Sequence, residues 1–326
     1  MGIKNLNRFF KDNASSSINS INLEELAGKK IAVDINIYMH KYGSENSLIE
    51  NMYLMLSVFR YYNITPVFIF DGKPPDEKKE LIIKRRAEKV DALEEYKNIK
   101  NILLNSSNMD DNDKKELMHN MVTLKRTSSS LKSGDIENVK NLLRAHGATY
   151  YDAPNEADEL CAMLTICGKV WACLSEDMDL FVYGCPRVIR YLSLFSHTAV
   201  LYDLDGILKN LGLSQKQLRE ICILSGTDYN SNSECKDKTE DLYVTLNYFQ
   251  CYYNDNKKIE FYDWLIENTD YIKDYGLLIK INKMFDLNNN MNIKIFENIN
   301  IMNGPIQKNM IEEILKNDGF VFAPNN

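Results

Sequence analysis

Three apolar runs in this chain stop at, or just before, acidic residues, and that recurrence limits what the chain can fold into. Lys29–Asp34 (KKIAVD) and Pro66–Asp71 (PVFIFD) each read as a buried strand with an aspartate at its carboxyl end. Lys169–Ser175 (KVWACLS) reads as a third buried strand, followed at once by Asp177 and Asp179. Between the first two, Ser47–Tyr62 has helical spacing, with Leu48, Met52, Met55, Leu56 and Phe59 on one face. Strand, helix, strand over this length indicates a right-handed βαβ unit and a parallel sheet. In open α/β sheets ligands gather beyond the carboxyl ends of the strands, which is where Asp34, Asp71 and the Asp177/Asp179 pair stand. Residues two apart project to the same side of an extended chain. The spacing therefore predicts Asp177 and Asp179 pointing together past the third strand.

The stretch Tyr150–Phe181 carries a second tight acidic group, Glu156 and Asp158. Asn155 reads as a helix N-cap with Asp158 at the third helical position. On a regular helix Glu156 and Asp158 would not share a face, and periodicity leaves Glu159 as an alternative to either. Carboxylates that meet in one place repel, so such a site calls for a bound cation. Oxygen-only ligands favour hard ions, chiefly Mg²⁺ or Mn²⁺.

The net charge of −7 is unpromising for a nucleic-acid binder, but a carboxylate-rich metal site itself adds negative charge, so clustering of Lys and Arg matters more. They cluster after Asp71. Gly72 and the Pro74-Pro75 pair make a turn, and a highly charged, mostly helical segment runs on to about Leu131, with a polar break at Asn105–Asp113. Lys78 and Arg85 lie two turns apart on one face. This segment is either a solvated helical pair or a basic arch that handles phosphates. Lys132–Gly147 reads as an amphipathic helix and Ala148–Asp152 as a short strand. Arg187–Leu192 and Thr198–Tyr202 read as strands. Asp205–Asn210 and Ser214–Ser225 read as helices. A turn with one more acid, Asp228, follows, and then a region of several helices. The seven cysteines show no CxxC spacing and read as buried free thiols. No apolar run is long enough to span a membrane. The start reads as neither a signal peptide nor a myristoylation site.

Six of these pieces, in order, resemble the flap endonuclease/XPG family of structure-specific 5′ nucleases. They are MGIKNL (Met1–Leu6), VDINIYMHK (Val33–Lys41), FDGKPPDEKK (Phe70–Lys79), DAPNEADELCA (Asp152–Ala162), SEDMDLF (Ser175–Phe181) and SGTDY (Ser225–Tyr229). Together they cover roughly the first two-thirds of the chain. The resemblance implies an α/β fold: a mostly parallel twisted sheet flanked by helices, the PIN-like 5′ nuclease core, with an inserted helical arch. It implies a core over residues 1–229, made of an N-terminal portion (residues 1–100) and an internal portion (residues 134–229, approximately). An arch at about 76–133 and a helical DNA-binding region over 230–326 complete that layout. The resemblance also implies a metal-binding cage of Asp34, Asp71, Glu156, Asp158, Asp177, Asp179 and Asp228, which selects Glu156 and Asp158 over Glu159. The family typically has Glu where this chain has Asp158. The cage would hold two Mg²⁺ ions, with Mn²⁺ able to substitute, and these would serve the attacking hydroxide and the leaving alkoxide. Lys78 and Arg85 match the family's arch lysine and arginine, whose catalytic role is to steer the scissile phosphate and stabilise transition-state charge. Gly2, His40, Lys41, Lys79 and Arg86 complete the DNA-binding set that the likeness suggests. His40 is open to base stacking or to a packing role.

The likeness weakens after Asp228. The family's glycine-rich hairpin, which binds K⁺ and duplex DNA, has no counterpart in NSNSECKDKTEDLYVTLNYFQ, where Lys236 and Lys238 offer looser phosphate contacts. The end of the chain shows no basic tail and no sliding-clamp box, while Met310–Phe320 resembles the family's closing helix. The implied partner is branched double-stranded DNA with a 5′ single-stranded flap, met by a monomer. The expected location is intracellular and soluble, in the nucleus or, for a member from a large DNA virus, at a cytoplasmic replication site. Competing readings are a predominantly 5′-3′ exonuclease, an RNA-directed PIN-like nuclease, and a catalytically silent DNA-binding or scaffold protein of the same fold. A phosphatase would need an Asp-x-Asp at the first strand, where Ile35 and Asn36 follow Asp34.

Overall fold

The strands that end in acids lie side by side. The structure is a computed structural model that describes residues 2–105, 110–230, 241–255, 259–287 and 299–321. In chain order its strands are β1 (Ile18–Asn22), β2 (Lys30–Asp34), β3 (Thr65–Phe70), β4 (Thr149–Asp152), β5 (Ala172–Leu174), β6 (Arg187–Ser193) and β7 (Thr198–Asp203). They form one sheet in the order β1-β7-β6-β5-β2-β3-β4. From β4 through β6 every pairing is parallel. β7 runs antiparallel between β6 and β1. This is the mixed, mostly parallel α/β sheet that the apolar runs predict.

Alternation along the central strands builds the layers. Ile31 and Val33 of β2, with Phe68 and Phe70 of β3, face one apolar cluster. Ala32, Val67 and Ile69 face the other. A sheet apolar on both sides has to be covered on both, which is why its strands read as continuous hydrophobic runs. Helices Ile35–Ser44, Leu48–Tyr61, Ser133–Ala145 and Lys308–Asn317 cover one face. Leu6–Asn13, Ala157–Ile166, Gln215–Leu224 and the helices Asp241–Asp255, Phe261–Asn268 and Tyr275–Phe285 cover the other. Chain order along the sheet reverses between β2 and β5, so the crossovers leave toward opposite sides and open a crevice at the carboxyl ends. Asp34, Asp71 and the loop after β5 border that crevice.

Some local expectations change. The third apolar run yields a strand over Ala172–Leu174 only: the Val170 N–H closes the preceding turn by donating to the Leu164 carbonyl at 3.3 Å, and the Trp171 N–H makes the first bond across to β2, at Lys30, at 2.7 Å. β1 and helix Ile35–Ser44 have no counterpart in the sequence reading. Ser214 does begin a helix, through a reciprocal cap in which Gln217 N–H donates to Ser214 Oγ at 3.3 Å and Ser214 N–H donates to Gln217 Oε1 at 2.8 Å. The six described cysteines are free thiols. Among the described residues no helix is long and apolar enough to cross a membrane. Lys236 and Lys238, Cys235, and residues 106–109 of the polar break lie outside the described residues.

Buried charge ties helix Gln215–Leu224 to the C-terminal helices. Arg219 donates from Nε to Asn282 Oδ1 at 3.0 Å and pairs with Asp286 at 3.4 Å. Lys216 pairs with Glu260 and lies 3.8 Å from Glu220. Burial pushes the Glu220 carboxyl up from 4.5 to about 7, against Lys216 and Arg219 and with help from Glu260 and Asp263. A folded pKa above the unfolded one means that Glu220 favours the fold only while protonated. Its contribution is complete below 4.5 and is lost as the pH rises through about 7. Glu220→Gln should therefore be more stable than wild type at pH 8, by about 2 kcal/mol, and equal to it or weaker at pH 4. Urea unfolding at the two pH values checks this, and parallel pH dependence in both proteins would refute it.

Candidate active site

A cavity of about 810 Å³ opens at the carboxyl edge of the sheet. Six acids of the expected cage line it: Asp34, Asp71, Glu156, Asp158, Asp177 and Asp228. Lys78, Arg85 and Lys89 enter from the first arch helix and the turn before it, and Thr127 and Ser129 from the end of the second. The arch helices, Lys79–Asn105 and Asp111–Ser128, pack against one another. Helix Ile35–Ser44 contributes Asn36, His40 and Lys41. Asp179 lies beneath the cavity floor, 1% exposed, and its Oδ1 has no hydrogen-bond partner. Lys79 and Arg86 are exposed and are not among the cavity's lining residues, Lys79 pairing with Asp76 at 3.0 Å.

Each carboxylate is placed by a local device. Asp34 ends β2 and accepts from Ser175 Oγ at 2.9 Å, the residue that follows β5 in the neighbouring strand. Asp71 follows β3, and its Oδ1 accepts the Ala157 N–H at 2.8 Å. It thereby satisfies a free donor at the start of helix Ala157–Ile166. Gly72 makes this approach possible: a Cβ there would lie 1.9 Å from the Ala153 carbonyl oxygen. The N-cap of that helix is Glu156, not Asn155, and it has extended φ and ψ of −91° and 150°. Asn155 instead donates to Glu159 at 3.2 Å. Glu156 thus stands outside the helical repeat, which lets it and Asp158 reach one cavity. Asp177 and Asp179 also meet through a turn and not an extended chain. Asp177 Oδ1 caps the Asp179 N–H at 3.0 Å, at the start of helix Asp179–Tyr183. Gly2 presses on this pair with φ +77°, and a Cβ would fall 2.5 Å from Asp179 Oδ1 and 2.6 Å from Asp177 Oδ1.

The electrostatics follow from burial and crowding. Burial, with Asp71 and Asp177 adding repulsion, pushes Asp34 up to about 7 despite the Ser175 bond. Burial also raises Asp71, against the Ala157 N–H bond. It raises Asp158 well above the carboxylate range with Glu156 adding to it, and Asp179 likewise with Asp177 and Asp228. The compensation comes from the arch. Lys78 Nζ sits 2.7 Å from Glu156 Oε1 and 3.8 Å from Asp228 Oδ2, and Arg85 Nη2 sits 2.9 Å from the same Asp228 oxygen. Burial works against the Lys78 ammonium, yet Asp158, Glu156 and Asp228 together raise it above the usual lysine range. Burial and Lys89 lower His40. Among the described residues no three acidic, histidine or cysteine side chains are already drawn around one ion-sized point. The donor set is nevertheless all oxygen, crowded and short of positive charge, with one buried carboxylate oxygen left unpaired. That chemistry fits a hard divalent cation. Spacing alone did not single out Ser175, Lys89, Glu176 or Tyr229, which border or support the cavity.

The chain matches the XPG N-terminal domain over residues 1–92 and the XPG I-region over residues 147–228. It is 32% identical over 248 residues to flap endonuclease 1 of Glycine max, covering 70% of this chain and 62% of the relative. It is 30% identical over 248 residues to flap endonuclease 1-B of Physcomitrium patens, covering 70% and 67%. The chain thus spans about three-fifths of the length of the first of these. Among solved structures, the catalytic core of Rad2 in complex with DNA substrate superposes with a TM-score of 0.63 at 23% identity, over 95% of this chain and 93% of that one. Flap endonuclease-1 from Methanococcus jannaschii superposes with a TM-score of 0.52 at 23% identity, over 94% and 98%. These likenesses establish the fold.

The loop carrying Asp177 and Asp179 is held from behind by Arg190, which is 6% exposed. Its guanidinium donates to the Glu176 carbonyl at 3.1 Å, Asn7 Oδ1 at 2.9 Å and Met178 Sδ at 2.8 Å, and its Nε lies 3.5 Å from Glu176 Oε2. The next residue, Tyr191, adopts φ 55° in the β6 bulge and donates its N–H to Glu176 Oε1 at 2.6 Å. Arg190→Met keeps the volume and removes the donors. It should cost about 2 kcal/mol in urea unfolding. It should also speed hydrogen exchange at the Asp177 and Asp179 amides roughly tenfold. Unchanged exchange there would show that Arg190 does not hold the loop.

Proposed function

The chain belongs to the flap endonuclease/XPG family, and from that membership we propose that it is a divalent-metal-dependent, structure-specific 5′ nuclease acting on branched DNA. The observation that carries this reading is the cavity in which six carboxylates of the expected cage face Lys78 and Arg85 at the carboxyl edge of a mostly parallel sheet. Its natural substrate is a phosphodiester, which brings the anionic partner that the two cations lack when they leave Glu156 and Asp228.

Asp34, Asp71, Glu156, Asp158, Asp177, Asp179 and Asp228 would hold two Mg²⁺ ions, or Mn²⁺ in their place. Bound there, the ions supply a hydroxide nucleophile and stabilise the leaving alkoxide. The protein's own groups do the positioning. Lys78 and Arg85 bind and orient the scissile phosphate and offset charge developing on it. His40 offers a ring on which a base beside the cut can stack, and Lys41 an ammonium for the neighbouring phosphate. Lys79 and Arg86, on the exposed side of the arch, meet the backbone of the single strand, and Gly2 lets the start of the chain lie against the acidic pair. Residues 1–229 form the nuclease core, with the arch at about 76–133, and residues 230–326 contact the duplex. The protein acts as a monomer where DNA is replicated or repaired.

Cleavage of an end-labelled double-flap DNA in Mg²⁺ tests this. Wild type should cut near the junction. Asp179→Ala should abolish cleavage while DNA binding persists, and Lys78→Ala should slow it by roughly 10²- to 10³-fold. Degradation of free 5′ ends alone would assign the protein to exonuclease work, consistent with the absence of a Gly-x-Gly hairpin motif after Asp228. No cleavage of DNA or RNA flaps in Mg²⁺ or Mn²⁺ would overturn the enzyme reading.

A further inference from the structure

Tyr229 touches three regions of the molecule at once. Its hydroxyl donates to Glu156 Oε2. Its ring lies 4.8 Å from Lys78 Nζ, within the range of a cation–π contact. It packs edge-to-face with the Phe285 ring at a centroid separation of 5.5 Å, and the Phe285 ring centroid lies 4.6 Å from that of Tyr183 in the short helix that begins at Asp179. Hydrogen bonds tie down the backbone beneath. Asn230 Oδ1 accepts from the Thr227 N–H at 2.8 Å and from Thr227 Oγ1 at 2.6 Å, and Thr227 Oγ1 accepts the Tyr229 N–H at 3.2 Å. Asn230 Nδ2 donates to the Ile223 carbonyl at 2.7 Å, anchoring the turn to helix Gln215–Leu224. Tyr229 is 7% exposed, so its hydroxyl has little access to water in exchange for Glu156.

The two oxygens of Glu156 therefore have different partners, Lys78 Nζ on Oε1 at 2.7 Å and the Tyr229 hydroxyl on Oε2. Two bonds in different directions fix the rotation of a carboxylate; one does not. Lys78 is likewise held by more than one contact, the Glu156 carboxylate at 2.7 Å, the Asp228 carboxylate at 3.8 Å and the aromatic face of Tyr229. When Lys78 gives up Glu156 for a phosphate, the ring still faces its ammonium and, with Asp228, keeps it at the same place. We infer that Tyr229 is the positioning residue of this site. Its hydroxyl sets the orientation of Glu156 toward a divalent ion, and its ring seats Lys78. Through Phe285 it makes both depend on the packing of helix Tyr275–Phe285. This rests on the nuclease reading, in which Glu156 is an ion ligand.

The two halves of the role separate by substitution. Tyr229→Phe keeps the ring, the Lys78 contact and the Phe285 packing, and removes only the hydroxyl. Mn²⁺ binding, followed by the paramagnetic resonance of free Mn²⁺ and without DNA, should weaken about tenfold, as for loss of an outer hydrogen bond to a metal ligand. The Mn²⁺ concentration for half-maximal flap cleavage should rise by the same factor. Tyr229→Leu also removes the ring. At saturating Mn²⁺ its cleavage rate should fall to that of Lys78→Ala, and the double variant should be no slower than either. Circular dichroism melts of each variant establish that it is folded, and Tyr229→Phe carries the test if Tyr229→Leu is not. Wild-type Mn²⁺ affinity in Tyr229→Phe, or additive rate losses in the double variant, would overturn the inference while leaving the nuclease reading intact. Absence of Mn²⁺ binding by folded wild type would instead remove the metal-dependent reading and the inference with it.

Discussion

Mutual repulsion among carboxylates is the constraint around which this structure is arranged. Asp34, Asp158 and Asp179 are almost fully buried, and each is pushed above the ordinary carboxylate range by burial and by its acidic neighbours. Such groups can share a cavity only if the fold supplies opposing charge or donors. It supplies both. The Ser175 hydroxyl and the Ala157 and Asp179 backbone N–H groups each bond one carboxylate from the protein side. Lys78 and Arg85 close the open side. The reversal of strand order between β2 and β5 is what puts these groups around one crevice. Removing the sheet would leave no reason for residues as far apart as Asp34 and Asp228 to meet.

The features of this arrangement legible in the sequence are those fixed by burial on two faces. β2 and β3 read plainly because every residue from Ile31 to Val33 and from Val67 to Phe70 is buried. β1 does not, because it is an edge strand with one buried residue, Ile21. Helix Ile35–Ser44 follows β2 without a break and is rich in isoleucine and tyrosine, so its composition resembles a strand. Burial of Tyr38, Met39 and Tyr42 against the sheet decides otherwise. The site was legible as a set of acids but not as a geometry. No local pattern announces that Asp71 will satisfy the Ala157 N–H, a contact between residues 86 positions apart. The extended-chain argument for Asp177 and Asp179 reached the right proximity by the wrong route, because a side chain of one capping the backbone of the other outcompeted extension. The family likeness, not periodicity, distinguished Asp158 from Glu159. Tyr229 and Arg190 carry no signal in spacing at all, since their importance lies in what tertiary packing sets beside them.

Beneath the acidic layer is an aromatic and arginine layer. Tyr183, Phe285 and Tyr229 are in contact in sequence, and Arg190 lies between the rings of Tyr191 and Tyr202 at 4.9 and 5.5 Å. These groups fill the space between the sheet's carboxyl edge and the helices behind it. Their packing transmits position where flexible side chains would not. Helices Asp241–Asp255, Phe261–Asn268 and Tyr275–Phe285 thereby belong to the same apolar cluster as Ala32, Val67, Ile69 and Cys173 of the strands that carry the acids.

The pairing of Lys78 and Arg85 with Glu156 and Asp228 has one more consequence. In this state the two cations already have their counterions inside the cavity. An anion drifting in alone meets bases that are engaged, whereas a cation also meets carboxylates beyond that pair, Asp34 and Asp177 among them. A divalent ion that took Glu156 and Asp228 would free Lys78 and Arg85 for a phosphate. The salt bridges would thus set an order of arrival, cation before anion, and would disfavour free phosphate until the ion was in place.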